Sequence, residues 1–235
     1  MSEQEYRGEE LHLFAAVRNW KRYWSDAIRK YVLGDVLEVG AGTGSNTEYL
    51  HAESSGRWVC LEPDPRLVVQ IRQKIDTAGR GNCEAICGTV QSLDSTCQFD
   101  TIIYIDVLEH IEDDRGELES AAAHLRPGGR AIVLSPAHQW LFTPFDAAIG
   151  HHRRYDRSML RAITPPPLRL ERLMYLDSVG MLASAGNRLL LRQSMPTEAQ
   201  LRFWDSTLVP LSRVVDALLR HSLGKSIVGV WRKPI

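Results

Sequence analysis

The sequence predicts an α/β fold, a doubly wound and mostly parallel sheet, and three observations carry that expectation. From Asp35 to Ser135, short apolar strands alternate strictly with helical patterns, the order of a parallel sheet with right-handed crossovers. The first strand, Asp35 to Val39, runs straight into glycines at alternating positions, Gly40, Gly42 and Gly44. The second, Arg57 to Glu62, ends in an acid about 20 residues beyond those glycines, where nucleotide folds place a carboxylate to accept from ribose hydroxyls.

With 235 residues and 44% hydrophobic content the chain can bury a sizeable core. Its formal net charge of −1 gives no electrostatic footprint for nucleic acid, which is disfavoured as a partner. Met1 to Glu10 is polar and acidic, unlike a secretory signal, and no apolar run is long enough to span a bilayer, so a cytoplasmic protein is expected. Four cysteines fit a reducing compartment, since Cys60 and Cys87 fall within predicted strands. Cys83 and Cys87 lack a neighbouring His or Cys pair, so no metal is expected. Oligomeric state is not legible.

In chain order, Leu11, Phe14, Val17, Trp20, Trp24, Ile28 and Tyr31 give the spacing of an amphipathic helix from about Glu9 to Tyr31. Trp20 is expected in the core. Val36, Leu37 and Val39 suit a strand buried on both faces. The glycines let the backbone turn tightly and approach a ligand, and Ser45 or Asn46 is expected to cap a helix running to about Leu50. Because Gly40, Gly42 and Gly44 lack the G-x-G-x-x-G interval, a dinucleotide pyrophosphate is disfavoured, and the carboxylate of Glu38 suits a ligand with an ammonium group. A helix is predicted from Arg66 to Ala78, a third strand from Cys83 to Gly88, and a fourth from Phe99 to Asp106. Another helix, Arg115 to Leu125, is expected to stop at Arg126-Pro127-Gly128-Gly129 and reverse into a fifth strand, Arg130 to Ser135.

Pro136 to Asp156 breaks the pattern. It is too long and aromatic for a plain connection, holds three of the eight histidines, and must emerge at the carboxyl ends of the strands where ligands bind. A helix over 157–163 ends at Thr164-Pro165-Pro166-Pro167, followed by a sixth strand near Leu168 to Leu176. Helices are predicted at Val179 to Leu191 and Ser206 to His221, and a last strand at Ser226 to Arg232.

The stretch D-V-L-E-V-G-A-G-T-G-S, with V-L-E-H-I at Val107 to Ile111 and L-R-P-G-G-R-A-I-V-L-S at Leu125 to Ser135, resembles the class I S-adenosylmethionine-dependent methyltransferases. The string Gly150-His151-His152-Arg153-Arg154-Tyr155 resembles the G-H-x-R-R-Y loop of a bacterial branch of that family. The resemblance implies a seven-stranded Rossmann-like sheet, the last strand antiparallel. It also implies a single domain over 1–235: an N-terminal helical segment (1–34), a cofactor-binding core (35–135) and a substrate-side insertion with C-terminal strands and helices (136–235).

For S-adenosylmethionine it places Glu38 near the methionine amine, Gly40, Ala41, Gly42 and Gly44 under the ligand, and Glu62 with Pro63 at the ribose. Asp106 and Val107 fall toward the sulfonium end. Many relatives have Gly-Asp at Gly88-Thr89; Thr89 offers only a hydroxyl here, which shifts adenine recognition toward the Val90 backbone. The expected acceptor is a small molecule, methylated on oxygen in preference to nitrogen or carbon. His151, His152 and His138 are candidate bases, since an unperturbed imidazole titrates near ~6.5. Trp140, Phe142 and Tyr155 are candidate acceptor walls, and Arg153 and Arg154 candidate partners for an anionic acceptor. The rival classes are a nicotinamide-dependent oxidoreductase and a non-catalytic S-adenosylmethionine-binding partner protein.

Overall fold

The computed structural model describes residues 17–51, 56–186 and 197–235. Seven strands form one sheet in the order β3-β2-β1-β4-β5-β7-β6: β1 Val36–Val39, β2 Trp58–Glu62, β3 Cys83–Cys87, β4 Phe99–Ile105, β5 Leu125–Pro136, β6 Arg169–Leu176 and β7 Ser226–Arg232. Strands β1 to β5 pair in parallel, and β7 enters antiparallel between β5 and β6. The order reverses between β1 and β4, and such a switch point opens a crevice at the carboxyl ends of the strands.

Every residue of β1 is buried because helices cover both faces of the sheet. Successive side chains of a strand point to opposite faces. Val36, Trp58, Cys60, Ile103 and Val230 therefore join one core, while Leu37, Val59, Leu61, Ile102, Tyr104 and Trp231 join the other. The first core is closed by α1 (Arg18–Ile28) through Trp20 and Trp24 and by α3 (Pro65–Thr77) through Val68, Ile71 and Ile75. Pro65 and an Asp64 side chain that accepts from the Arg66 amide at 2.8 Å start α3. The second core is closed by α4 (Asp114–Ala123), where Leu118, Ala121 and Ala122 permit close packing, and by α6 (Arg157–Ala162) through Leu160.

Local expectations need several corrections. Between the glycine turn and β2, α2 spans Thr47–Leu50 and ends where expected, but Asn46 at its N-cap position makes no side-chain cap. β5 begins at Leu125, earlier than expected, because Leu125 already pairs with Phe99; residues 126–129 bulge before Arg130 resumes beside Thr101. The insertion contains a 3₁₀ turn at Gln139–Leu141 and a short helix, α5 Pro144–Ala148. α7 is Ser178–Gly186, and the rest of its predicted span, 187–191, lies outside the described residues, as do Leu11 and Phe14 of the N-terminal helix. The C-terminal helix starts earlier than predicted: α8 Glu198–Phe203 passes through a π-helical turn, Trp204–Leu208, into α9 Val209–Leu218.

Candidate active site at the carboxyl ends of β1 and β4

The glycine turn takes its shape from left-handed backbone, with φ of 63° at Gly40, 57° at Gly42 and 68° at Gly44. At Gly40 a side chain is excluded twice over: by its φ, and because a Cβ would lie 2.7 Å from Cγ2 of Val107. The turn is anchored to β2, since Gly40 and Ala41 donate to the Leu61 carbonyl at 2.8 and 3.2 Å and Gly42 donates to Glu62 Oε2 at 2.8 Å. Glu62 Oε1 accepts from the Asp64 amide at 3.0 Å. Burial pushes the Glu62 carboxyl up, and those two amides pull it back. Thus Glu62 sits where a ribose carboxylate is expected and also braces the loop that would carry the ligand, with Pro63 next in the chain.

Glu38 is buried within β1, and its Oε2 accepts from Thr47 Oγ1 at 2.7 Å and Trp58 Nε1 at 2.9 Å. Burial raises its pKa against those hydrogen bonds. Two lysines that the sequence did not single out hold the carbonyl side of the turn. Lys21 Nζ reaches Ser45 Oγ at 2.7 Å, and Lys74 Nζ reaches the Thr43 carbonyl at 2.7 Å. Burial lowers Lys21 to about 8. No local signal marked Lys21, because its role depends on α1 crossing over the turn. Trp20 packs against Tyr23 and Trp204, with ring centroids 6.1 and 5.8 Å away, so it is a core residue as expected from its spacing. Tyr23 donates its hydroxyl to Asp216 Oδ2 at 2.6 Å.

Beyond β3, Thr89 is exposed and forms a capping box with Ser92, the Thr89 amide donating to Ser92 Oγ at 3.0 Å, and the Val90 side chain is buried. Asp106 follows β4 in left-handed backbone, φ 54°, a costly conformation for a non-glycine residue and one that clusters at functional sites. One face of Asp106 is open to solvent although protein surrounds it densely. That enclosure pushes its carboxyl up to about 6, with His151, Lys225 and Lys21 pulling it back. Lys225, another residue the sequence reading missed, stands 3.7 Å from the Trp204 ring centroid and 3.5 Å from Asp177 Oδ2.

The insertion is organised by Asp146, which no motif had marked. Its carboxylate, 1% exposed, accepts from the Thr143 amide at 2.8 Å and from His151 Nδ1 at 3.0 Å. Arg154 grips both of its oxygens, Nε to Oδ1 at 2.8 Å and Nη2 to Oδ2 at 2.9 Å. Burial alone would raise the Asp146 carboxyl, but His151, Arg154 and Thr143 outweigh it and hold it at about 2. His151 is thereby pinned, with its Nε2 3.9 Å from Glu109 Oε1.

Arg153, Arg154 and Tyr155, the candidates for acceptor contacts, are each engaged with acids of the protein itself. Arg153 pairs with Asp114 Oδ2 at 2.6 Å and donates to the Glu112 carbonyl at 2.7 Å. Tyr155 is buried and donates to Asp114 Oδ2 at 2.7 Å. Both guanidiniums neutralise buried acids: the Arg154 pair closes the insertion on itself, and Arg153 ties it to Glu112 and Asp114 beyond β4. Of the other candidates, His152 is exposed and uses its amide to reach the Glu109 carbonyl at 2.8 Å. His138, at φ 67°, stacks on Tyr175 with centroids 4.8 Å apart. Trp140 is 52% exposed and tilts against His138, while Phe142 is half-buried. No described helix is long and apolar enough to cross a membrane.

Residues 37–131 match a family described as a methyltransferase domain. The mitochondrial ubiquinone biosynthesis O-methyltransferase of Schizosaccharomyces pombe is 27% identical over 120 residues, 50% of this chain and 43% of that one. The ubiquinone/menaquinone biosynthesis C-methyltransferase UbiE of Cronobacter sakazakii is 29% identical over 151 residues, 60% of this chain and 59% of its own. The chain spans about half the length of the curated relatives it matches. Among solved structures, the N-methyltransferase NodS of Bradyrhizobium japonicum, in complex with S-adenosyl-L-homocysteine, superposes with a TM-score of 0.56 at 16% identity, covering 91% of this chain and 84% of that one. At that identity the likeness speaks for the fold alone. The sheet order, the antiparallel β7 and the matched segment together make this a Rossmann-like methyltransferase fold, with the glycine turn and both strand-end acids inside the segment that the family matches.

Proposed function

We propose that this chain is an S-adenosylmethionine-dependent methyltransferase, working as one domain and acting on a hydroxyl group of a small-molecule acceptor. The observation that carries the reading is the convergence, at one end of the sheet, of a glycine turn braced by Glu62 with a histidine held in place by Asp146. The donor set fits the cofactor. Glu62 presents a carboxylate at the end of β2, Glu38 lies within β1, Thr89 and Val90 follow β3, and Asp106 follows β4. S-adenosylmethionine supplies an electrophilic methyl group on a sulfonium.

In-line displacement asks the protein to align the acceptor, exclude water and, for a hydroxyl, take up a proton. Trp140 and Phe142 offer apolar walls for the alignment. The Asp146 carboxylate holds the His151 ring by Nδ1, which leaves Nε2 as the atom that accepts the proton. That feature favours oxygen over carbon as the acceptor atom. The names of the relatives, which include both an O- and a C-methyltransferase of quinone biosynthesis, support a small-molecule acceptor. Four unpaired cysteines support a cytoplasmic location. The absent G-x-G-x-x-G interval stands against a nicotinamide cofactor.

The deciding experiment transfers labelled methyl from S-adenosylmethionine to a panel of phenols, amines and carbon acids, beside thermal shifts with S-adenosylmethionine and with NAD. Transfer to a hydroxyl that falls about 10²-fold in His151→Ala, with cofactor affinity kept, is the expected result. Stabilisation by NAD alone would overturn the cofactor assignment. Wild-type turnover in His151→Ala would remove His151 as the proton acceptor.

A further inference from the structure

Glu109 follows β4 in a 3₁₀ turn, Leu108–His110, that carries its side chain wholly inside the protein. One carboxylate oxygen, Oε2, accepts from Ser135 Oγ at 2.8 Å. The other, Oε1, is buried and has no hydrogen-bond partner. Buried polar atoms are nearly always paired, so an orphaned carboxylate oxygen marks a place where an ion or a water belongs. The surroundings favour an ion. His151 Nε2 lies 3.9 Å from that oxygen, and the His110 ring stands edge-on to the His151 ring with centroids 4.5 Å apart. One ligand atom from each of Glu109, His110 and His151 falls within 4.8 Å of the others.

We propose that Glu109, His110 and His151 form a divalent-cation site. Bonds of about 2.0–2.2 Å to a shared ion put two ligand atoms roughly 3–3.5 Å apart, so small side-chain rotations close the cluster. The outer arrangement is already in place. Asp146 holds His151 by Nδ1 at 3.0 Å and so directs the Nε2 lone pair inward, and Arg154 fixes Asp146 in turn. A carboxylate behind a ligating imidazole is the usual way a metal-binding histidine is oriented. Two imidazoles and one carboxylate suit Zn²⁺, Mn²⁺, Fe²⁺ or Co²⁺ rather than Mg²⁺ or Ca²⁺, which take oxygen sets. His110 is exposed, so the ion keeps coordination positions on the solvent side for an acceptor oxygen.

Cation binding stands independently of methyl transfer; its catalytic use rests on the reading given under Proposed function. Proton and cation compete for the same Nε2. With the ion in place His151 would be a ligand and not the base; the charge of the ion would lower the pKa of an acceptor hydroxyl enough for it to give its proton to solvent before attacking the methyl group.

The test uses the full chain, stripped with a chelator and titrated with Zn²⁺ by calorimetry and with Co²⁺ by visible absorption, with S-adenosylmethionine affinity measured in parallel. The expected result is one cation per chain, a Co²⁺ spectrum of mixed nitrogen and oxygen ligands, and affinity at least tenfold weaker in Glu109→Gln and in His110→Ala. His110→Ala alters an exposed residue, so it reports even where Glu109→Gln fails to fold. No binding by the wild type at millimolar cation, or unchanged affinity in His110→Ala, overturns the site. Either outcome with S-adenosylmethionine binding intact leaves the methyltransferase reading standing.

Discussion

Arg154 meets both carboxylate oxygens of Asp146, at 2.8 and 2.9 Å, eight residues back in the chain and on the far side of the turn that carries His151. The pair is nearly dry, so its geometry sets the position of the imidazole. Removing one partner from a buried ion pair strands the other, at a cost of about 3–5 kcal/mol. Arg154→Ala is therefore expected to lower unfolding stability by that amount in urea, with Arg154→Lys intermediate because a single ammonium cannot make the fork. A variant with wild-type stability and only a raised acceptor KM would return Arg154 to the acceptor-binding role expected from sequence.

Gly40 and Val107 form a second pair with a consequence. Gly40→Ala adds a Cβ 2.7 Å from Val107 Cγ2 in left-handed backbone. The backbone part costs about 1–2 kcal/mol and the clash adds to it. Gly40→Ala/Val107→Ala is expected to recover the clash and keep the backbone cost. A double variant no better than the single one, beyond the cost of Val107→Ala alone, would show that backbone strain is the whole effect.

Glu62→Gln probes the brace under the turn. The carboxylate accepts two backbone amides, one on each oxygen, whereas a carboxamide turns an N–H toward one of those donors. The unmet donor costs about 1–3 kcal/mol, so the variant is expected to melt earlier and to bind S-adenosylmethionine more weakly. Calorimetry beside thermal unfolding separates the two effects. Earlier melting with unchanged cofactor affinity would leave Glu62 a structural brace without a ribose contact.

Lys21 predicts a pH dependence with a definite sign. Burial lowers its pKa from 10.5 to about 8, so between those values the unfolded chain binds more protons than the folded one. Stability contributed by this residue therefore rises with pH across that window and is flat below about 8, where both states are protonated. The full span is on the order of 3 kcal/mol. Urea unfolding at several pH values across the window is expected to show a shallower rise in Lys21→Met. Equal slopes in variant and wild type would place the ammonium in contact with water.

The sequence by itself determined the strand and helix alternation, the turn at Gly40 to Gly44 and the strand-end acids Glu62 and Asp106. These are local signals: a period of two or 3.6 in apolar residues, glycines where φ is positive, an acid at the end of a strand. It also placed Trp20 in the core from spacing alone. Tertiary structure decided what the charged residues of the insertion do. Asp146, Asp114 and Glu109 take meaning only once α5, α4 and the turn after β4 bring them beside His151, Arg153 and Arg154. An arginine in a sequence carries the same charge whether it awaits a substrate or neutralises a buried acid, and only the fold supplies the partner. Lys21 and Lys225 were missed for that reason, since their environments come from α1 lying across the glycine turn and from Trp204 packing beside the start of β7.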